Sequence, residues 1–358
     1  MFKSTIDLQK IQIKDFDPLK ATAEEWNLYH DYRRRKHLEV NPDDPIDSDE
    51  SHQKTLQINA QYPEIELCLY NIIDTATNRQ IGDAMQVMFK EASPSYEGTK
   101  HLVQFDIHIN KGYRLSGIGT QVLKKIYQVS KEKGKTMLVS GSFEKDGNAF
   151  LEKIGATLAL ASVENRLHMD EVDWEMVEEW MKEGPIRSPE TRLEVFYKIP
   201  DELIENYCNL YTEVLNQQPL GVLDVGTIRT TPEMHRNQEK MFQEMGRIWI
   251  TMITRESKGA ISGLTEVRYN PEKKTIVAQL LTGVQEQYRH HGLGKWLKAA
   301  MLLKIKNDFP EVKYISTGNA NANAPMLSIN NRLGFKVHKE QFNAQVSIEK
   351  VAEYLDSK

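Results

Sequence analysis

Two cysteines in 358 residues, Cys68 and Cys208, one in each half, make no metal-ligand or disulfide pattern. That suits a reducing compartment. Long apolar runs are missing as well, and none approaches the ~18 residues that a membrane span needs. The opening stretch MFKSTIDLQKIQIKDFD lacks the apolar core of a secretory signal. A cytoplasmic protein is expected. The formal net charge is −5, and no long basic groove is legible, so neither nucleic acid nor an anionic membrane is an expected partner. The vicinal His290 and His291 lack a third ligand at metal spacing, and no metal is expected.

What is present is an ordinary globular composition, 40% hydrophobic and 27% charged. The length fits two domains of about 100–200 residues each. The stretch Thr282 to Leu303 reads as a strand end, a basic glycine turn and a helix. Leu293, Trp296, Leu297, Ala300 and Met301 recur at helical spacing along one apolar face. Arg289, Gly292 and Gly294 stand just before and at the helix start. Glycine lets backbone approach a ligand closely, and unpaired N–H groups at a helix N-terminus favour an anion.

Phe105 to Val129 repeats the construction, with Arg114, Gly117 and Gly119 in the same R-x-x-G-x-G spacing. Each matched pair is 175 positions apart (289 less 114, 292 less 117, 294 less 119). Later matches, around Gly155 and Gly334, are 179 apart (334 less 155). A repeat that long is a duplicated domain, since solenoid units run roughly 20–50 residues.

Each half reads as strand, two helices, three strands, helix, strand, helix, strand. The first half places its three strands at 65–73, 81–89 and 102–109, and its last strand at 156–161. The second places them at 248–254, 260–269 and 275–284, and its last at 336–343. Residues 170–183 form an acidic helix expected to stop at Gly184-Pro185. The expected layout is a domain over 1–169, a helical linker over 170–190, and a domain over 191–358. Three strands joined by short turns imply antiparallel pairing, and a strand–helix–strand unit implies parallel pairing. The fold class is therefore α/β, with a mixed and mostly antiparallel sheet per domain and helices on both faces.

This order, with R-x-x-G-x-G between the fourth strand and its helix, resembles the GNAT superfamily of acyl-CoA-dependent N-acyltransferases. The resemblance covers nearly the whole chain as two tandem domains. Asn319-Ala-Asn-Ala-Asn323, with Met326, Asn330 and Leu333-Gly-Phe335, is similar to the tandem type that includes mycothiol synthase. It implies acetyl-CoA as co-substrate, with pyrophosphate at Arg289, His290, His291, Gly292, Leu293, Gly294 and Lys295. Val284, Gln285 and Glu286 would offer strand-edge backbone to pantetheine, and Asn323 would order cofactor or substrate. The amine attacks the thioester directly, so a base matters more than a covalent nucleophile.

Many members carry a tyrosine four residues before the Gly-Phe glycine, where it can protonate the departing thiolate; this chain has Asn330, and Leu151 in the first half. Glu266 is the first candidate base and Glu286 the second. Asn323 and Asn330 are equally of the type that caps helices and turns. The first half keeps Arg114, Gly117 and Gly119, so it too offers a place for cofactor, and Asp106 and His108 share one strand face. The reading is an N-acetyltransferase acting on a primary amine of a small molecule, with its chemistry in the second half. The alternative is a non-catalytic acyl-CoA sensor or scaffold. The acceptor, the acyl length and the oligomeric state stay open.

Overall fold

The computed structural model describes residues 6–320 and 322–358. Strand β1 (Ile11–Phe16) is followed by helices α1 (Ala23–Val40) and α2 (Asp49–Ala60). Thr22 caps α1 in a reciprocal capping box with Glu25. Next come β2 (Ile65–Asp74), β3 (Arg79–Phe89), the single turn α3 (Tyr96–Thr99), β4 (Leu102–Ile109) and α4 (Ile118–Glu132). The first half ends with β5 (Met137–Ser142), α5 (Lys145–Lys153) and β6 (Thr157–His168).

Helix α6 (Trp174–Arg187) leads into the second half, which opens with β7 (Arg192–Phe196), α7 (Ile204–Asn216) and α8 (Pro232–Glu244). It continues with β8 (Ile248–Arg255), β9 (Ile261–Tyr269), β10 (Ile276–Val284), α9 (Leu293–Asp308) and β11 (Tyr314–Ala320). Helix α10 (Ala324–Leu333), β12 (Lys336–Ser347) and α11 (Ile348–Asp356) close the described chain. Among the described residues no helix is long and apolar enough to cross a membrane.

Packing divides the chain into two compact units. Unit 1 contains the described residues up to Ala159, the short segment Val222–Gly226 and the terminal stretch Phe342–Lys358. Its strands run β1-β2-β3-β4-β5-β12, antiparallel except for β4 beside β5. Val122, Leu123 and Ile126 of α4 are fully buried in its core with Val103, Leu138 and Val351. Unit 2 contains Leu160–Gly221 and Thr227–Gln341. Its strands run β6-β11-β10-β9-β8-β7, with β10 and β11 the parallel pair. Alternation along β8 sends Ile250 and Met252 to the cluster that α9 covers, and Ile253 to the cluster that α7 covers. The sheet is thus mixed, with helices on both faces.

The units do not follow the expected cuts at 169 and 191. Phe342 to Ser347 of β12 pair with β5 in unit 1, and residues 162–168 of β6 pair with β11 in unit 2. Each sheet therefore takes its last strand from the other half of the sequence. Nor is 170–190 a linker that stops at Gly184. Helix α6 runs on through Pro185 to Arg187, with Val177 and Trp180 buried in the unit 2 core. Gly184 lies under Trp296 of α9, where an added Cβ would stand 2.3 Å from the indole Cδ2. That packing outweighs the local stop signal.

Candidate functional site

The two R-x-x-G-x-G turns fold alike. Arg114 and Arg289 are extended, at φ −69°, ψ 158° and φ −68°, ψ 163°. The residues after them, Leu115 and His290, are left-handed at φ 62° and 69°. Gly117 and Gly292 follow as helix N-caps at φ 95° and 84°, a backbone that glycine adopts without a Cβ penalty. Each arginine Nε donates back to the end of its strand: Arg114 to the Ile109 carbonyl at 2.8 Å, Arg289 to that of Val284 at 3.3 Å. Neither glycine supplies a side-chain cap; the Thr120 N–H donates to the Gly117 carbonyl at 3.1 Å, and the N–H groups that open the two helices are left for solvent or a ligand.

The surroundings of the two turns differ. Arg114 pairs with Glu144 at 2.6 Å and Asp146 at 3.3 Å. The Phe150 ring sits 3.5 Å from where a Cβ on Gly119 would be, and Leu8 3.3 Å from one on Gly117. Two carboxylates and two apolar side chains are a poor setting for a phosphate. The second turn instead borders a cleft of about 800 Å³ whose walls carry Arg187, Arg289, Lys295 and Arg332 and no carboxylate. Val284, His290, Gly292, Leu293, Gly294 and Asn323 also line it.

Gln285, Glu286 and His291 are not in its walls. The Gln285 N–H is taken by the Ser262 carbonyl at 2.8 Å and its side-chain amide by Glu213 at 3.0 Å. Glu286 is exposed. The His291 carbonyl accepts from the Ser188 hydroxyl at 3.4 Å.

Pairing between β10 and β11 ends at Gln279 with Thr317. Beyond it β10 keeps its β9 partner, with a bulge between Gln279 and Thr282 that sharpens the divergence. The strands splay, and the gap is a second cavity of about 350 Å³. Gln218, Pro219, Thr282, Asn323 and Met326 belong to both walls, so cleft and cavity adjoin.

Glu266 is in neither wall. It is fully buried, its Oε1 accepts from the hydroxyls of Tyr207 and, at 3.2 Å, Thr251, and burial raises its pKa. A carboxylate so enclosed is not placed to take a proton from a molecule in the cleft. Asn330, 1% exposed, also misses both walls; its Nδ2 donates to the Asn319 Oδ1 at 2.9 Å, and Asn319 does line the second cavity. Asn323 caps α10 by accepting from the Met326 N–H at 3.4 Å. Asn321 lies outside the described residues. In unit 1, His108 meets the Tyr32 hydroxyl at 2.6 Å rather than Asp106, and burial with nearby Lys36 pushes its pKa down to about 4. That imidazole is held neutral.

Four cavity residues escape a sequence reading. Arg187 follows the apparent helix stop, yet its Nη2 donates to the His290 carbonyl at 3.1 Å beside Gly292. Arg332 and Arg268 look like ordinary helix and strand charges. Lys298 carries a usable signal, since it stands four residues after Gly294 and so shares its helix face.

No protein-family model matches the sequence, and no curated protein matches it. Solved structures do. A tandem GNAT protein from the clavulanic acid biosynthesis pathway superposes with a TM-score of 0.74 at 19% identity, over 94% of this chain and 98% of that one. The chain has the tandem GNAT fold. A GCN5-related N-acetyltransferase from Sphaerobacter thermophilus matches with a TM-score of 0.60 at 11% identity, over 95% and 96%. The GCN5-related glucosamine N-acetyltransferase region of a fungal multi-domain GH3 β-N-acetylglucosaminidase matches at 0.63 and 11%, over 94% of this chain and 38% of that one. At these identities the GNAT likeness is one of fold. Which GNAT unit is equipped to hold a ligand is a matter of the turns, and the cationic cleft is at the second.

Proposed function

We propose that unit 2 is an acetyl-CoA-dependent N-acetyltransferase acting on a primary amine of a small molecule. The observation that carries the reading is the cleft at the second turn, with four cationic side chains, unpaired helix N–H groups and no carboxylate in its walls. A pyrophosphate fits that donor set. Each charge–dipole contact there contributes roughly 0.3–1 kcal/mol when exposed, and more if partly buried. The β10 edge from Leu280 to Val284 has lost its β11 partner and offers backbone amides to a pantetheine arm. The acyl end would then reach the splay.

The thioester supplies an activated acyl group. The neutral amine attacks its carbonyl carbon, the C–S bond breaks, and the thiolate leaves with a proton. With Glu266 sealed and Glu286 outside the walls, we assign both proton transfers to water in the open cleft. Unit 2 contributes chiefly by positioning, which can supply several kcal/mol. The lack of a carboxylate base in the walls is also what favours the second reading, an acyl-CoA sensor without turnover.

Titration calorimetry with acetyl-CoA on wild type, Gly292→Asp and Gly117→Asp tests the proposal. Aspartate tolerates a positive φ better than most residues, and it places negative charge where phosphate would sit. Affinity is expected to fall at least a hundredfold in Gly292→Asp and to persist in Gly117→Asp. Wild-type binding by Gly292→Asp would sink the assignment. Binding without CoA release across an amine panel would select the sensor.

A further inference from the structure

Two basic side chains line the second cavity, one from a helix and one from a strand. Lys298 of α9 is 2% exposed, yet it belongs to the cavity wall. Among the described residues no hydrogen bond or ion pair reaches its Nζ, and its one close contact of note is the Phe335 ring at 5.4 Å. Arg268 of β9 also lines the cavity, its guanidinium stacked 3.8 Å from the Phe242 ring centroid and 4.6 Å from that of Trp249. The Arg268 Nε has no hydrogen-bond partner. Glu266, two residues along the same strand, accepts at Oε1 from Tyr207 and Thr251, and its carboxylate and the Arg268 guanidinium each favour the other's charged form, which leaves Lys298 as the uncompensated group.

The remaining polar side chains of the wall, Gln279, Thr282, Thr317 and Asn319 among them, are uncharged, and none is a carboxylate. Buried charges in folded proteins are paired unless a site expects its counter-ion from elsewhere. Burial pushes the Lys298 amine down to about 7, so it regains its charge readily when an anion arrives.

We propose that this cavity is a carboxylate-binding subsite, in which Lys298 and Arg268 select a substrate that carries a carboxylate. The planar guanidinium, packed against two rings, can take a carboxylate through two parallel N–H bonds, and the ammonium offers a point charge on the same cavity wall. Leu281 and Met326 give the wall apolar surface for a short carbon chain. Because cavity and cleft adjoin, the carboxylate comes from one of two sources. It is the far end of a dicarboxylic acyl-CoA, or it belongs to an amino-acid-like acceptor. This rests on the acyl-CoA reading of the cleft.

Three measurements on the full chain decide it. In the first, CoA, acetyl-CoA, malonyl-CoA and succinyl-CoA are titrated into wild type, Lys298→Met and Arg268→Met. A carboxylate on the acyl group is expected to tighten wild-type binding at least tenfold over acetyl-CoA, and the preference to shrink to within about twofold in either variant. In the second, acetyl transfer to an amino acid is compared with transfer to its decarboxylated amine. An acceptor-borne carboxylate shows as a KM preference for the amino acid that both variants lose, with kcat little changed. The third uses no CoA: millimolar succinate is expected to raise the thermal midpoint of wild type and not that of Lys298→Met.

The two ideas fail separately. If CoA itself does not bind, the acyl-CoA reading falls and the succinate comparison alone judges the subsite. If CoA binds but none of the three measurements separates wild type from both variants, the subsite is wrong. Equal loss of kcat on every substrate, with or without a carboxylate, would also overturn it, since that makes Lys298 part of the chemistry.

Discussion

A lysine held at 2% exposure without a partner is expensive to fold around. The Lys298 amine is lowered to about 7 in the folded chain against an ordinary 10.5. Between those values the unfolded chain binds a proton that the folded chain lacks, so stability rises with pH across that window. Lys298→Met removes the penalty. The variant should be more stable by roughly 4 kcal/mol at pH 7 and by about 1 kcal/mol at pH 10. Urea unfolding at the two pH values reads this directly, and a gain that does not shrink with pH would refute the cause.

His108 gives a slope of the same sign in a lower pH range, by the same logic. Its pKa falls to about 4, so the protein loses up to about 3 kcal/mol as pH drops from 6.5 to 4. His108→Phe should flatten that acid limb. The lysine is the harder of the two to see in sequence, because a helical stripe is read from its apolar members and a lysine among them counts as an exception.

Among the elements, α6 shows how packing overrides a local signal. Gly184-Pro185 reads as a stop by any rule of helix termination. The helix nonetheless continues far enough to set Arg187 beside the second turn, because Gly184 admits Trp296 of α9 to its surface. Gly184→Ala places a methyl 2.3 Å from that indole and should cost about 1–3 kcal/mol in denaturant unfolding. It should also weaken acetyl-CoA binding as α6 and α9 part. Unchanged stability would mean that the contact is not what holds α6 there. The glycine turns were legible for the opposite reason. Their geometry is made by residue types within six positions, Arg289 to Gly294 and Arg114 to Gly119, and no distant contact is needed to specify them.

On the scale of the whole molecule, the strand order within each half was readable and the partners of the last strands were not. An alternating run such as 336–343 announces a strand and says nothing of which edge receives it. Here β5 receives β12, and β11 receives β6. Neither half of the sequence, cut between 169 and 191, carries the strands of a finished sheet. Expressed alone, 1–169 should leave β5 as an open edge, and 191–358 should leave β11 open, so both should aggregate or fail to protect their amides. Ending the full chain at Gln341 should strip hydrogen-exchange protection from β5 and α4 first, since it removes β12 pairing together with Ile348 and Val351 of α11.

On a ribosome the exchanged strand imposes a delay. Ser142 of β5 is made about 200 residues before Phe342, the partner it faces. At the usual pace of synthesis that wait lasts roughly 10–40 s. Unit 1 cannot close its sheet until β12, through Ser347, has emerged. During that interval the nascent chain presents a bare strand edge, and this is when a holding chaperone would matter most to its yield.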